Sequence, residues 1–286
     1  MRYAFIAEEA GRYPVTRLCQ VMGVSRRGYY DWRQRLESRR SRANRQLLTV
    51  IRELFHSNRQ VYGAPRIHKA LVAQGHLCGL NRVARLMRGD GLLPKTIRAF
   101  RVTTDSRKSR DPAENVLDRA FSAERPNEKW VTDVTYIPTR EGWLFLATVL
   151  DLYSRKIIGW SMGDRLNSDL AQRALCNALE ARMPSPGLIV HSDRGKEYYA
   201  GDYQRLLEQH GLVCSMSRRG DCYDNAVMES FFHSLKVEEV HHRDFRTRAQ
   251  ARSVLFDYIE LFYNRQRLHS SIGYLSPVEF EARAVA

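Results

Sequence analysis

The sequence predicts an α/β protein with two differently built halves. The C-terminal half alternates β-branched and aromatic strands with amphipathic helices, which indicates a mixed sheet with flanking helices. The N-terminal half shows helical spacing only and carries the positive charge. Residues 1–126 hold 26 Lys and Arg against 11 Asp and Glu, whereas residues 127–286 hold 20 against 21. A basic helical half beside an electrically balanced α/β half suits binding of a polyanion by one part and chemistry by the other.

The overall composition is that of an ordinary globular protein. Of the 286 residues, 43% are hydrophobic and 27% are charged, which excludes collagen-like, disordered and disulfide-scaffold classes. The longest uncharged apolar run, Trp143–Leu150, is too short to cross a bilayer. Glu8 and Glu9 stand where a signal peptide needs apolar residues. Because no two of the five cysteines have CxxC spacing, we expect reduced thiols in a cytoplasmic protein without a membrane segment.

The first helical segment, Val15–Gln34, has the pattern of a helix-turn-helix. Gly23 falls in the turn, and Ser25 is suited to cap the second helix. In this arrangement the second helix enters the major groove of DNA with its first residues nearest the bases. Arg26 and Arg27 are therefore candidates for contacts with guanine edges or phosphates. A plain helical hairpin without DNA contact is the alternative.

A second helical set covers residues 46–100. Its apolar side chains recur at helical spacing in three segments, with Pro65 opening the second segment and Gly75 closing it. The set resembles another helix-turn-helix. Arg82 and Arg85 would lie on the exposed face of its third helix and are candidate DNA contacts.

The C-terminal half begins with three strand segments in quick succession, which predicts an antiparallel meander. These segments are Lys129–Pro138, Trp143–Tyr153 and Arg155–Met162. Further along the chain, predicted helices at Ser168–Met183, Tyr203–His210 and Asn225–Val240 alternate with predicted strands at Leu188–His191 and Val213–Met216. The order βββ-α-β-α-β-α matches a ribonuclease-H-like core, in which parallel strands extend the meander.

Domain limits follow from these segments and from a polar, Pro-containing stretch between the halves. We predict a helix-turn-helix with a basic linker (1–45), a second helix-turn-helix-like domain (46–100), a linker (101–126), the ribonuclease-H-like core (127–245), and a C-terminal helix and tail that complete the core (246–286).

Three carboxylates occupy positions at which a surface ion pair is not the expected role. Asp133 lies inside the first strand, Asp193 directly follows a short apolar strand, and Glu229 lies on the last helix before the tail. Carboxylates that converge can hold two divalent ions about 4 Å apart, which activate the attacking oxygen and stabilise the leaving oxygen of a phosphodiester. Each carboxylate taken alone could instead pair with an arginine, cap a turn or face solvent.

The motifs around these carboxylates resemble a known family. WVTDVTYIP, HSDRGKEY and GDCYDNAVMESFFHSLK resemble the three acidic motifs of DDE transposases and retroviral integrases. The tail Tyr263–Glu281 resembles the end of the second-frame product (OrfB) of the insertion-sequence-three family. The resemblance spans the whole chain. It implies that Asp133, Asp193 and Glu229 are the catalytic, metal-binding triad and that Lys236 contacts DNA close to the reacting phosphate.

The resemblance also implies a function with its cofactor and partners. The expected activity is metal-dependent cleavage and strand transfer of DNA with two Mg²⁺ ions, for which Mn²⁺ can substitute. The expected partners are double-stranded DNA, both the element's terminal repeats and the target, and further copies of the chain assembled on that DNA. A first-frame product (OrfA) is a possible separate or fused partner. The expected place of action is the bacterial cytoplasm, at the nucleoid.

Two other functions remain open on the residues alone. The 14 tyrosines allow a recombinase with a tyrosine nucleophile, which would need no metal and would form a covalent protein–DNA adduct. A sequence-specific DNA-binding regulator with an inactive catalytic core is the second alternative, because an intact triad can be idle.

Several further polar residues are each compatible with two roles. Asp151 either assists the site or pairs with Arg155, and Asp224 is expected to be the N-cap of the last helix before the tail. Four polar residues of the tail either contact DNA or fasten the tail to the core, and fastening is the favoured interpretation: Asn264, Arg265, Arg267 and His269.

Overall fold

The structure is a computed structural model that describes residues 1–95, 113–218 and 222–285. It divides into two compact units, Met1–Glu53 and Leu54–Ala286. Of the predicted linker 101–126, residues 101–112 lie outside the described residues. Residues 113–126 form neither helix nor strand. Leu117 within them is buried, and its amide donates to Ser215 Oγ at 3.0 Å, so this stretch packs onto the core.

The first unit is helical. Its elements are α1 (Arg2–Glu9), α2 (Val15–Val21), α3 (Arg26–Gln34) and the first part of α4 (Arg39–Ser57). A small core of Ile6, Cys19 and Tyr29 holds the first three helices together. Ser25 accepts a hydrogen bond from the Gly28 amide at 3.0 Å and caps α3, as the sequence predicts.

The second unit begins with the remainder of α4 and two further helices, α5 (Ala64–Ala73) and α6 (Leu80–Gly89). Apolar side chains at helical spacing are buried on α5 and α6: Ile67, Leu71, Val83 and Met87. This set docks on the C-terminal tail of the chain. The Tyr62 hydroxyl donates to the Gln266 carbonyl at 3.0 Å and accepts from the Leu268 amide at 2.8 Å. Arg66 Nε donates to the Leu268 carbonyl at 2.9 Å.

The core of the second unit is a five-stranded mixed sheet. Its strands are β1 (Lys129–Thr139), β2 (Gly142–Asp151), β3 (Ile157–Gly163), β4 (Ile189–Ser192) and β5 (Val213–Met216), in the order β3-β2-β1-β4-β5. The first three strands form the antiparallel meander, and β4 and β5 extend it in parallel. The predicted fold class is confirmed. The third strand begins two residues later than predicted, because Arg155 has a φ of 63° and lies in a turn.

Helices cover the sheet. They are α7 (Ser168–Arg182), α8 (Lys196–Tyr199), α9 (Gly201–Gln209), α10 (Ala226–Glu238), α11 (Arg248–Phe256) and α12 (Pro277–Val285). A π-helical segment, Asp257–Tyr263, continues α11 and is largely buried. In the described ranges no helix is both long and apolar enough to span a membrane.

Two side chains fasten the tail to the core, which agrees with the favoured interpretation. Asn264 accepts from the Ile157 amide and donates to the Ile157 carbonyl, each at 2.9 Å, and so continues the edge of β3. Arg267 forms a buried ion pair with Glu238 at the end of α10. His269 is also buried, whereas Arg265 is exposed.

Candidate active site

The parallel pairing of β1 and β4 brings the first two predicted carboxylates together. Val131 on β1 lies opposite His191 on β4, and Asp133 and Asp193 each follow two residues later on the same face. Both side chains are half-buried. Desolvation, and after it the negative charge of Asp193, raises the pKa of Asp133 well above its usual range. Desolvation also raises the pKa of Asp193.

The turn after β4 is held by local hydrogen bonds. The Gly195 amide donates to Asp193 Oδ1 at 2.8 Å, which fixes the direction of this carboxylate. The buried His191 ring lies between two serine hydroxyls, with Nδ1 at 2.9 Å from Ser215 Oγ and Nε2 at 3.2 Å from Ser217 Oγ. Burial lowers the pKa of His191 to about 4, so the ring is neutral near pH 7. We assign the His191 ring a structural role, in which it joins β4 to β5.

Helix α10 supplies the third carboxylate and the lysine. Its buried face consists of Met228, Phe231, Phe232, Leu235 and Glu238. Glu229 lies on the exposed face, yet its negative charge contributes to the raised pKa of Asp133. Lys236 Nζ lies 4.8 Å from the centre of the Tyr136 ring on β1, a cation–π contact. Burial lowers the pKa of Lys236, and the charge of Asp133 opposes that shift.

A fourth carboxylate, which the sequence patterns did not single out, lies beside these groups. Glu197 on α8 is only 8% exposed. Burial raises its pKa, and the charge of Asp193 adds to the effect. The only signal in the sequence is its place in the motif HSDRGKEY, four positions after Asp193. Its burial depends on how α8 packs, which the local sequence does not reveal.

The donor set fits divalent metal ions of the magnesium type. Mg²⁺ prefers carboxylate oxygens and retains water or substrate oxygens as further ligands. The repulsion between Asp133 and Asp193 that raises the pKa of Asp133 is what a bound cation would remove. Among the described residues, no three Asp, Glu, His or Cys side chains already form a compact ligand group.

Two acidic residues have different roles from those predicted. Asp224 is not the N-cap of α10, because Asn225 precedes that helix. The Asp224 carboxylate is instead fully buried and pairs with Arg119 and Arg218, which lower its pKa. Asp151 neither joins the triad nor forms an ion pair with Arg155. Its carboxylate accepts hydrogen bonds from the amides of Asn127 and Tyr153, each at 2.9 Å.

The arginines predicted to contact DNA begin or line two helices. Arg26 and Arg27 are exposed in the first turn of α3 in the first unit. Arg85 is exposed on α6 of the second unit, and Arg82 on the same helix is partly buried. Arg26 and Arg27 thus begin helix α3, and Arg82 and Arg85 lie along helix α6. Both helices are amphipathic, as a helix that packs on one side and contacts DNA on the other must be.

Three regions of the chain match known domain families. Residues 123–222 and 229–284 each match an integrase core domain, and residues 42–100 match a helix-turn-helix-like domain. The integrase-core matches include all three predicted triad residues, strand β1 with Asp133, and strand β4, which Asp193 directly follows.

Known proteins are similar over nearly the full length. The transposase InsF of insertion sequence IS3A from Escherichia coli K12 is 43% identical, with 100% of both chains covered. The insertion element IS600 uncharacterized 31 kDa protein of Shigella sonnei is 45% identical over 93% of this chain and 98% of its own. Among solved structures, a chain of the simian T-cell lymphotropic virus intasome in complex with PP2A regulatory subunit B56 gamma aligns with a TM-score of 0.47 and 14% identity. That alignment covers 74% of this chain and 69% of the other.

The full-length identity and the integrase-core matches agree with the sheet order and the acidic motifs. The function expected from the motifs is confirmed, and nothing favours a DNA-binding regulator with an idle core. This chain belongs to the insertion-sequence-three family of transposases, DNA-binding polynucleotidyl transferases with a metal-dependent integrase core that cleave DNA and transfer the cut strand.

Proposed function

We propose that Asp133, Asp193 and Glu229 are the catalytic residues of this transposase and hold two Mg²⁺ ions, for which Mn²⁺ can substitute. The observation that carries the proposal is the parallel pairing of β1 and β4, which brings Asp133 and Asp193 side by side. The negative charges of Asp193 and Glu229 both contribute to the raised pKa of Asp133. When bound, the metal ions activate the attacking oxygen and stabilise the leaving oxygen of the phosphodiester.

Protein groups around the site orient the carboxylates and the DNA substrate. The Gly195 amide fixes one oxygen of Asp193, and the Val134 amide donates to Asp133 Oδ1 at 2.7 Å. Lys236 lies on the same face of α10 as Glu229, seven positions along the helix. We assign it to a DNA phosphate next to the reacting one, with the Tyr136 ring in contact with its ammonium group.

The helical parts bind DNA away from the reacting bond. We assign Arg26 and Arg27 to contacts with DNA from the start of a helix that lies in the major groove. We assign Arg82 and Arg85 to a second contact with DNA. Exposure of Arg26, Arg27 and Arg85 supports this assignment. The helix-turn-helix-like match at residues 42–100 supports the second contact only. The DNA affinity that such residues provide falls as the salt concentration rises, because binding of the protein releases cations that were condensed on the phosphates.

We further propose the biological setting and the domain limits. The DNA partners are the terminal repeats of the element and the target DNA, and the two ends require at least two copies of the chain. An OrfA product, separate or fused, completes the assembly at the nucleoid. The functional domains are 1–45, 46–100, the linker 101–126, 127–245 and 246–286. The helix-turn-helix-like match at 42–100 supports the second of these.

The test uses labelled DNA fragments from both flanks of the gene, incubated with the protein, Mg²⁺ and the product of the upstream reading frame. Asp193→Asn should retain DNA binding and lose strand nicking and end joining. Asp202→Asn, an exposed aspartate on α9 that pairs with Arg205, is the matched control and should remain active. Full cleavage by Asp193→Asn would contradict the triad. A protein–DNA adduct trapped in EDTA would indicate a tyrosine nucleophile instead.

A further inference from the structure

Glu197 is buried in a way that ordinary surface carboxylates are not. Its side chain is 8% exposed, although glutamate is rarely buried without a partner. Within the described part of the chain, no Arg, Lys or His side chain forms an ion pair with it. Its own backbone amide donates a hydrogen bond to the carboxylate, the adjacent Lys196 has a smaller effect on its pKa, and three other carboxylates lie in the same region. A buried carboxylate in such surroundings is costly unless a metal ion or a hydrogen-bond donor compensates it.

The position of Glu197 is fixed by the packing of its neighbours. Tyr198, the next residue, is fully buried, with its ring centre 5.3 Å from that of Tyr203. The Tyr198 hydroxyl lies 3.4 Å from Thr132 Oγ1 on β1, immediately before Asp133. Helix α8 is therefore anchored against the strand that carries the first carboxylate, and Glu197 is held near it.

Glycine at position 195 lets the Glu197 carboxylate lie over the turn that holds Asp193. A Cβ atom at Gly195 would stand 2.5 Å from Glu197 Oε1 and 2.8 Å from Oε2. Both oxygens thus occupy the space above the Gly195 backbone, whose amide donates to Asp193. The two carboxylates share one turn.

We propose that Glu197 is a fourth acidic residue of the metal site and binds the same divalent ions as Asp133 and Asp193. This inference rests on the proposed metal-binding function of the triad. Four carboxylates carry four negative charges, which balance the four positive charges of two divalent ions. The bound ions would then add the positive charge that no ion pair among the described residues provides for Glu197.

The experiment measures Mn²⁺ binding to the full chain without DNA, by calorimetry, and thermal unfolding in EDTA. Glu197→Gln should raise the dissociation constant for Mn²⁺ about tenfold or more. In EDTA the same variant should unfold at a higher temperature than wild type, because one repelling charge is gone. Glu208→Gln, an exposed glutamate on α9, is the control with the same change of charge and should match wild type in both measurements.

A second variant, Gly195→Ala, keeps the negative charge of Glu197 but displaces its carboxylate. Gly195 has a φ of −66°, which alanine adopts without strain, so Gly195→Ala should fold. Its Cβ displaces the Glu197 carboxylate and leaves the Gly195 amide in place for Asp193. Mn²⁺ binding should weaken in this variant as well. Gly195→Ala therefore decides the question if Glu197→Gln proves unstable.

The outcomes separate this inference from the proposed function. If Glu197→Gln and Gly195→Ala bind Mn²⁺ as tightly as wild type while Asp193→Asn does not, Glu197 is a structural carboxylate and the triad stands. Lower stability of Glu197→Gln in EDTA with unchanged Mn²⁺ affinity would likewise make Glu197 a structural carboxylate. If wild type itself binds no Mn²⁺, both the fourth ligand and the triad are wrong.

Discussion

Arg267 and Glu238 form a buried ion pair that ties the C-terminal tail to helix α10. Arg267 Nη2 lies 2.6 Å from Glu238 Oε1, and Nε lies 2.8 Å from Oε2. The Tyr258 hydroxyl donates to the same carboxylate at 2.7 Å, and Lys95 Nζ donates to the Glu238 carbonyl at 3.3 Å. Three separate stretches of the second unit therefore meet at the end of the helix that carries Glu229 and Lys236.

Removal of Arg267 should strongly destabilise the protein. Both side chains are less than 10% exposed, so Arg267→Met leaves the Glu238 charge buried without its cation. The expected loss is about 3–5 kcal/mol in the free energy of unfolding, measured by urea denaturation. Arg265→Met, two residues away and exposed, should change stability by less than about 0.5 kcal/mol. Equal effects of the two substitutions would show that the pair is not what holds the tail.

The close packing of α7 on β3 should not tolerate a methyl group at position 159. A Cβ atom at Gly159 would stand 2.3 Å from the Ala174 carbonyl oxygen, a backbone atom that cannot move independently of the helix. We expect Gly159→Ala to lower the free energy of unfolding by about 3 kcal/mol. Gly201→Ala, at the start of α9 with open space around it, should stabilise the protein by about 0.4–1 kcal/mol. A neutral Gly159→Ala would contradict the observed helix–strand distance.

The raised pKa of Asp133 predicts how the stability of the metal-free protein depends on pH. The folded state retains a proton that the unfolded state loses above about pH 4, so wild-type stability falls as pH rises through the raised pKa. Asp133→Asn cannot lose that proton and should be more stable than wild type near pH 7. The difference should vanish below about pH 4. Urea denaturation in EDTA at several pH values measures it, and a difference that grows toward acid would refute the assignment.

Asp224 should show the opposite dependence on pH. Arg218 and Arg119 lower its pKa, so its contribution to stability is present above the ordinary aspartate pKa and is lost as pH falls toward the lowered value. Asp224→Asn should cost about 2 kcal/mol near pH 7 through weakened hydrogen bonds to charged groups. This cost, measured by urea denaturation across the pH range, should shrink as the pH falls below about 4. Asp118→Asn, which affects an exposed partner of Arg218, is the control and should have little effect at any pH.

Local patterns in the sequence were sufficient for most of the fold. Short runs of β-branched, aromatic and other apolar residues define β1 and β2, and helical spacing defines α7, because each pattern depends only on residues close in sequence. The Ser25 cap is equally local, since its bond partner is three residues on. Asp133 and Asp193 could be predicted as site residues from the sequence for the same reason. Each occupies a fixed position relative to a strand, and adjacent parallel strands bring such positions together.

The sequence by itself determined the elements, the acidic motifs and the separation of charge between the halves, because composition and short-range periodicity encode all three. Only the tertiary structure decided which polar residues meet. Asp224 resembles a helix cap in its local sequence, yet Arg119 lies 105 positions before it and makes it a buried ion-pair partner. Glu197 resembles a surface residue until Tyr198 anchors its helix beside β1. Side chains that are distant in sequence are brought together only by packing, and burial sets the strength of their electrostatic interactions.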